Sequence, residues 1–269
     1  MKKFTIVAFL MFLSVIAFAQ KPVRFGVYLG GASPLGNVAD GEAKKTTLMP
    51  LGDYSQWAML NEEGSEGYAG VGADLGFDVT VALPVEGLGV FGGIDFFLNS
   101  NKQVLRDCID EEIKEWEKIS GNSKAKMNLP EMMNIPILFG VNYIHNFNNV
   151  IGIWGEAGIG PNFRLISKYE QKLEYSAAQP GVHGDFTEET TTLKYKTATT
   201  LGFKIGGGAI LWDKMSIGLD FYALGSAKIE GSGTYKQGDN EVDLGDMKNF
   251  NGKKDISTSE LVVRVGYHF

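Results

Sequence analysis

Nine charged residues recur at alternate positions of otherwise apolar segments: Asp74, Asp78, Asp95, Glu156 and Asp220 against Arg24, Arg164, Lys204 and Arg264. Side chains two residues apart on an extended chain share a face. If the segments are strands of one closed sheet, all nine point into the same interior. An isolated buried charge is costly, so such a set must pair. Five acids and four bases make near-neutral pairing feasible. A structural plug is the plain expectation for this network; a proton or ion path is the functional alternative.

Catalytic chemistry has little else to use. Of the three histidines, only His183 has both a hydroxyl and a carboxylate in its own segment, Ser176 and Asp185, and that spacing matches no known signature. Asp239, Asn240, Glu241, Asp243 and Asp246 offer oxygen ligands for calcium but lack the D-x-[DN]-x-[DN]-G order of a defined loop. Gly206-Gly207-Gly208 precede no helix and cradle no phosphate. Cys108 is the only cysteine, which excludes an intramolecular disulfide and a thiolate metal cluster. No catalytic residue, metal site or cofactor is expected, and the chain reads as a non-enzyme. With 25 basic residues against 32 acidic ones, nothing invites nucleic acid.

The elements that must position the charges are strands. The last nine residues set Leu261, Val263, Val265, Tyr267 and Phe269 on one face and Val262, Arg264, Gly266 and His268 on the other. One side suits lipid and the other a polar lumen, as in the closing strand of an outer-membrane barrel. Seven further segments repeat the pattern: Val23 to Gly31, Ala69 to Leu83, Val90 to Leu98, Met133 to Tyr143, Ile151 to Leu165, Thr199 to Leu211 and Met215 to Ala223. The second alternates over its whole length, beyond the usual 5 to 6 residues or so of a soluble strand. A soluble, lipocalin-like barrel would turn its apolar face inward; the charges and glycines on the other face argue against that inversion. The fold class is therefore all-β, an eight-stranded antiparallel up-and-down transmembrane β-barrel.

Connection lengths alternate. Short links at Pro84 to Gly89, Asn146 to Asn149 and Asp213 to Lys214 separate long ones at Ser33 to Tyr68, Asn99 to Met132, Ile166 to Ala198 and Leu224 to Thr258. Membrane barrels have short periplasmic turns and longer extracellular loops, which places both termini in the periplasm. Val104 to Ile119 has apolar residues near helical spacing, including Leu105, Ile109, Ile113 and Trp116, and predicts a short amphipathic helix over the barrel mouth. Docking on lipid or a partner is its functional alternative. Gly184 to Thr192, rich in Thr and Glu, reads as a mobile polar hairpin tip.

The start of the chain agrees with export. Lys2 and Lys3 precede an apolar stretch from Phe4 to Phe18, and Ala17-Phe18-Ala19 forms an A-x-A cleavage site. Residues 1–19 read as a signal peptide and 20–269 as the barrel domain. The apolar run falls short of the roughly 20 residues needed to cross a bilayer as a helix.

The chain resembles the PorT-like outer-membrane β-barrel family, of OmpA-type architecture. The resemblance is carried by Asn134-Ile135-Pro136-Ile137-Leu138-Phe139-Gly140, the glycine-rich run from Gly155 to Gly160, Leu219-Asp220-Phe221-Tyr222 and the ending Val265-Gly266-Tyr267-His268-Phe269. It implies an integral outer-membrane protein, with one branch of the family implicated in protein secretion. The partners implied are outer-membrane lipid and lipopolysaccharide, the barrel-assembly machinery during insertion, and an unknown protein partner at the extracellular loops. The expected role is a filled barrel acting through those loops in adhesion, partner binding or envelope integrity. An accessory barrel of a secretion or surface-assembly system and a small transporter or narrow pore are the alternatives. Tyr267 and Phe269 are expected to serve insertion of the C-terminal strand.

Overall fold

The computed structural model describes residues 23–36, 38–39, 69–121, 123–181, 185–228, 230–246 and 256–269. In chain order the strands are β1 (Val23–Leu35), β2 (Ala69–Ala82), β3 (Leu88–Asn101), β4 (Lys124–Asn128), β5 (Met132–Asn146), β6 (Ile151–Ile166), β7 (Tyr169–Gln179), β8 (Phe186–Tyr195), β9 (Ala198–Leu211), β10 (Met215–Ala227), β11 (Gly231–Gln237), β12 (Asn240–Asp246) and β13 (Ile256–His268). One helix, α1 (Gln103–Ile119), lies between β3 and β4.

Eight strands close into an antiparallel barrel in the order β1-β13-β10-β9-β6-β5-β3-β2. The ring closes through β13, where Val265 pairs with Leu29 on one side and Ile217 on the other. Closure satisfies every strand edge, which a bilayer interior demands. Apolar side chains face outward from every strand: Leu29, Phe77, Leu98, Phe139, Ile159, Ile205, Leu219 and Val263 are all exposed. The inverted, lipocalin-like arrangement is thereby ruled out by observation. At the end with short turns, exposed Phe25, Tyr143, Phe147, Trp212, Tyr267 and Phe269 make an aromatic rim of the kind that sits at a membrane interface.

The turn end is stitched by backbone bonds between neighbouring hairpins. Ile144 N–H donates to Gly87 O (2.8 Å), Trp212 N–H to Val150 O (2.8 Å) and Phe269 N–H to Phe25 O (2.9 Å). Gly87 has φ +77° and an added Cβ there would lie 2.3 Å from Ile144 O, so only glycine fits. Trp212 and Asp213 both adopt positive φ, the type I′ geometry that closes a tight hairpin.

Barrel strands of 13 to 16 residues exceed the roughly 9 to 11 that cross a bilayer, and their far ends rise beyond the apolar belt. There the structure corrects the loop reading. Instead of irregular loops, a second sheet forms in the order β12-β11-β8-β7-β4. Residues 186 to 192, expected in a mobile hairpin tip, belong to β8 and pair with β7 and β11. Uneven polarity hid most of these strands: β8, β11 and β12 carry mostly small or polar residues on both faces, and the inner row of β7 is interrupted by Gln171. α1 packs over the barrel mouth: Ile109 is buried with Val38, Ala69, Met132 and Ile256, and Ile113 packs against them. The side chains of Leu105 and Cys108 lie outside the described ones. No described helix is long and apolar enough to cross a membrane.

Candidate functional site

The inward positions carry the chemistry. Arg264 lies at the centre of the lumen, with its Nη2 2.6 Å from Glu156 Oε1, its Nη1 3.4 Å from Asp95 Oδ1 and its Nε 2.5 Å from Asp220 Oδ2. The contact with Asp220 is an ion pair without hydrogen-bond alignment. Lys204 Nζ closes on Glu156 Oε1 at 2.5 Å. Tyr222 O–H donates to Asp95 Oδ2 (3.1 Å), and the Arg264 guanidinium stacks 4.2 Å from the centre of the Tyr28 ring. All five charged groups are buried. Three carboxylates and two bases fill the cross-section with little room between them.

Glycines make that filling possible. Asp78 stands opposite Gly26, Asp95 opposite Gly76, and Asp220 opposite Gly206 in strand register. A Cβ on each of these glycines would lie 1.6 to 2.3 Å from the facing carboxylate oxygen. The paired strands thus supply a charge on one side and a recess on the other. Burial of long polar side chains in a narrow barrel requires this complementarity.

Two further layers flank the centre. Toward the turn end, Tyr28 O–H donates to Asp78 Oδ2 (2.8 Å), and His268 Nε2 lies 3.1 Å from Ser216 Oγ. A cavity of about 20 Å³ remains there among Arg24, Asp78, Trp154 and His268, space for about one water. Toward the loop end, Arg164 donates from Nη1 to Ile256 O (2.8 Å), from Nη2 to Gly225 O (3.1 Å) and Thr258 Oγ1, and from Nε to Asn134 Oδ1 (3.3 Å). Asn162 Nδ2 bonds Thr200 Oγ1 and Leu224 O, both at 3.2 Å. Phe97, Leu138, Tyr222 and Val262 pack as an apolar cluster between the polar layers.

All nine residues of the sequence-derived charge set therefore lie on inner strand faces, but they do not form one network. Asp95, Glu156, Lys204, Asp220 and Arg264 are joined. Asp78 belongs to Tyr28, Arg164 binds carbonyl and side-chain oxygens, and Asp74 and Arg24 Nη1 have no hydrogen-bond partner among the described residues. Glu260 is an inner-face acid that the sequence reading missed, fully buried and 3.4 Å from Asn99 Nδ2. β13 begins at Ile256 instead of Leu261, and the alternation Ile256, Thr258, Glu260 was the available signal. Tyr28 and Tyr222 also contribute, as hydrogen-bond donors that sequence parity placed inward without a role.

Outside the barrel, the second sheet has two unlike faces. One carries Tyr169, Leu173 and Leu193, buried, and Tyr175, whose ring meets Trp116 of α1 edge-on at 6.0 Å. On this face Glu189 accepts from Tyr175 O–H (3.0 Å), Tyr235 O–H (2.7 Å) and Gln237 Nε2 (3.1 Å). Burial pushes the Tyr169 and Tyr195 phenols well above their ordinary value. The opposite face is charged: Lys172 Nζ lies 2.9 Å from Glu174 and 3.0 Å from Glu188. Hydrogen bonding to Lys172 lowers the Glu174 pKa, and bonding to both acids raises that of Lys172.

The remaining candidates fare differently. Ser176 Oγ donates to Gly121 O (2.8 Å), while His183 lies outside the described residues. Asp243 accepts from Gly245 N–H (2.8 Å) within β12. No three His, Cys, Asp or Glu side chains converge on a metal position among the described residues.

A closed ring of eight strands with an apolar exterior and a charge-filled interior defines a membrane-spanning β-barrel. No protein-family model and no curated protein sequence matches the chain. Among solved structures it is similar to a major outer membrane protein from Thermus thermophilus, at 12% identity and TM-score 0.43 over 93% of this chain and 100% of that one. It is also similar to Neisserial surface protein A (9%, TM-score 0.41, 92% and 97%). A third is the attachment invasion locus protein of Yersinia pestis (9%, TM-score 0.39, 93% and 100%).

Proposed function

We propose that the mature protein, freed of residues 1–19, is a non-conducting, non-enzymatic outer-membrane barrel that presents the β4–β7–β8–β11–β12 sheet to the outside for partner binding. Both termini and the short turns then face the periplasm, and outer-membrane lipid and lipopolysaccharide surround the apolar belt. The observation that carries this reading is the pairing of a lumen filled by ion pairs with an ordered five-stranded sheet at the opposite end from the termini. A pore would leave its axis open, and an inert anchor has no use for so large an ordered extension. Adhesion and envelope integrity are uses of the same surface; the PorT-like resemblance adds secretion or surface assembly as a further use.

Orientation is tested in a Cys108→Ser background by an impermeant maleimide on intact cells. Thr187→Cys on β8 should label at once, and Asn148→Cys at the turn end only after the envelope is opened. The reverse pattern would overturn the proposal. Binding is tested by replacing the β7–β8 and β11–β12 hairpins with short turns. The barrel should still insert and migrate heat-modifiably, while any surface adhesion of the parent protein is lost.

A further inference from the structure

We propose that a recess on the outer wall of the barrel, at the loop ends of β3, β5 and β6, holds one phosphorylated glycolipid of the outer leaflet. The proposal rests on the orientation given above, with the loop end outside. The recess has a volume of about 440 Å³, within the range of small-molecule sites. Its floor is a row of outward side chains set side by side by strand register, Leu98 beside Met133 and Met133 beside Leu165. Their inward neighbours Phe97, Asn134 and Arg164 are buried in the lumen, so the row faces lipid.

Depth identifies the class of occupant. From Tyr143 in the aromatic rim to Met133, every outward residue of β5 is apolar, and that length matches the roughly 9 to 11 residues that carry a tilted strand across the hydrocarbon core. The Leu98–Met133–Leu165 row therefore ends the apolar belt. The next outward residues are polar: Ser100, Glu131 and Ser167 line the loop side of the recess. Ser167 N–H donates to Glu131 O (2.9 Å) and Glu131 N–H to Ser167 Oγ (2.8 Å), which fixes this ledge. An amphiphile meets both rows at once, its acyl chain on the floor and its headgroup on the ledge, and the lipid of that leaflet is the amphiphile present at this level.

Charge narrows the headgroup. Arg106 of α1 stands at the ledge, its Nη2 3.8 Å from Glu131 Oε1, with the two side chains 44% and 64% exposed. So long and wet a pair contributes little, and the guanidinium fork keeps donors for a phosphate. Glu131 repels a bare anion but accepts from hydroxyl donors. A headgroup with phosphate next to hydroxyls satisfies both residues, which is the chemistry of a phosphorylated sugar. The ledge spans three strands, about 10 Å at the usual spacing, room for a sugar and more than an ethanolamine needs.

The detergent-folded mature protein is titrated, with native mass spectrometry as the readout, against lipopolysaccharide truncated to its lipid core, phosphatidylethanolamine and myristate. The expected result is one glycolipid per barrel, held about fivefold or more tighter than either competitor. Met133→Trp, which fills the floor with an apolar ring, and Arg106→Glu, on α1 outside the barrel wall, should each weaken it by a similar factor. Val263→Trp, outward on β13 across the barrel, should bind as the parent does. If Met133→Trp fails to fold, Arg106→Glu carries the test. Equal binding of all three lipids, or of the parent and the recess variants, would overturn the proposal. The titration does not depend on orientation, so its failure leaves the maleimide result standing. A reversed maleimide pattern would put the recess in the periplasmic leaflet and overturn the proposal whatever the titration shows.

Discussion

Arg264 is where one side chain decides most. Its guanidinium contacts three buried carboxylates from three strands, and truncation would leave them with Lys204, paired to Glu156, as the one remaining base of the cluster. Arg264→Met should lower stability by about 3 to 5 kcal/mol, the usual consequence of removing one partner from a buried ionic group. Denaturant unfolding of the detergent-folded protein measures this; a loss below about 1 kcal/mol would show that the cluster does not depend on its hub. The glycines divide along the same line. An alanine at Gly206 brings its Cβ to 1.6 Å from Asp220 Oδ1 and should destabilise by about 1 to 3 kcal/mol through overpacking. At Gly31 nothing lies within 4 Å, and alanine there should be neutral or stabilising by up to about 1 kcal/mol. Equal effects at the two positions would contradict the recess argument.

Individual strands carry the membrane address. Phe77, outward on β2 and 41% exposed, should resist replacement by Arg, with insertion weakened by about 2 to 4 kcal/mol if it lies near mid-bilayer. Refolding yield into vesicles against the parent protein checks it, and full tolerance would place Phe77 away from lipid. α1 answers to another test. Ile109→Ser removes its buried anchor against Met132 and Ile256, so proteolysis around residues 103 to 119 should accelerate while the barrel stays heat-modifiable. Element by element, the barrel was readable in advance because lipid on one side and a packed lumen on the other impose a strict period of two. Phe77 against Asp78 is unambiguous in that code. β8, β11 and β12 carry mostly small or polar residues on both faces, so no apolar row marks their period; β7 does alternate, Tyr169 and Leu173 against Lys172 and Glu174, but Gln171 interrupts its inner row. For the same reason Glu260 was missed: its strand rises past Leu261 into a stretch where Ser257 and Ser259, not aliphatic residues, hold the outer positions.

As a whole molecule, the described chain is a closed eight-stranded barrel with charged and aromatic side chains buried on its inner face, and it carries a second, five-stranded sheet. Parity could place nine charges inside but could not say which of them meet, since partners such as Arg264 and Glu156 come from strands far apart in sequence. That convergence is what closes the axis, and closure is the claim on which the proposed role depends. Single-channel recording of the folded protein in planar bilayers tests it most directly. The sealed lumen predicts a flat baseline without discrete steps in symmetric salt; stable, reproducible conductance from the parent protein would contradict it.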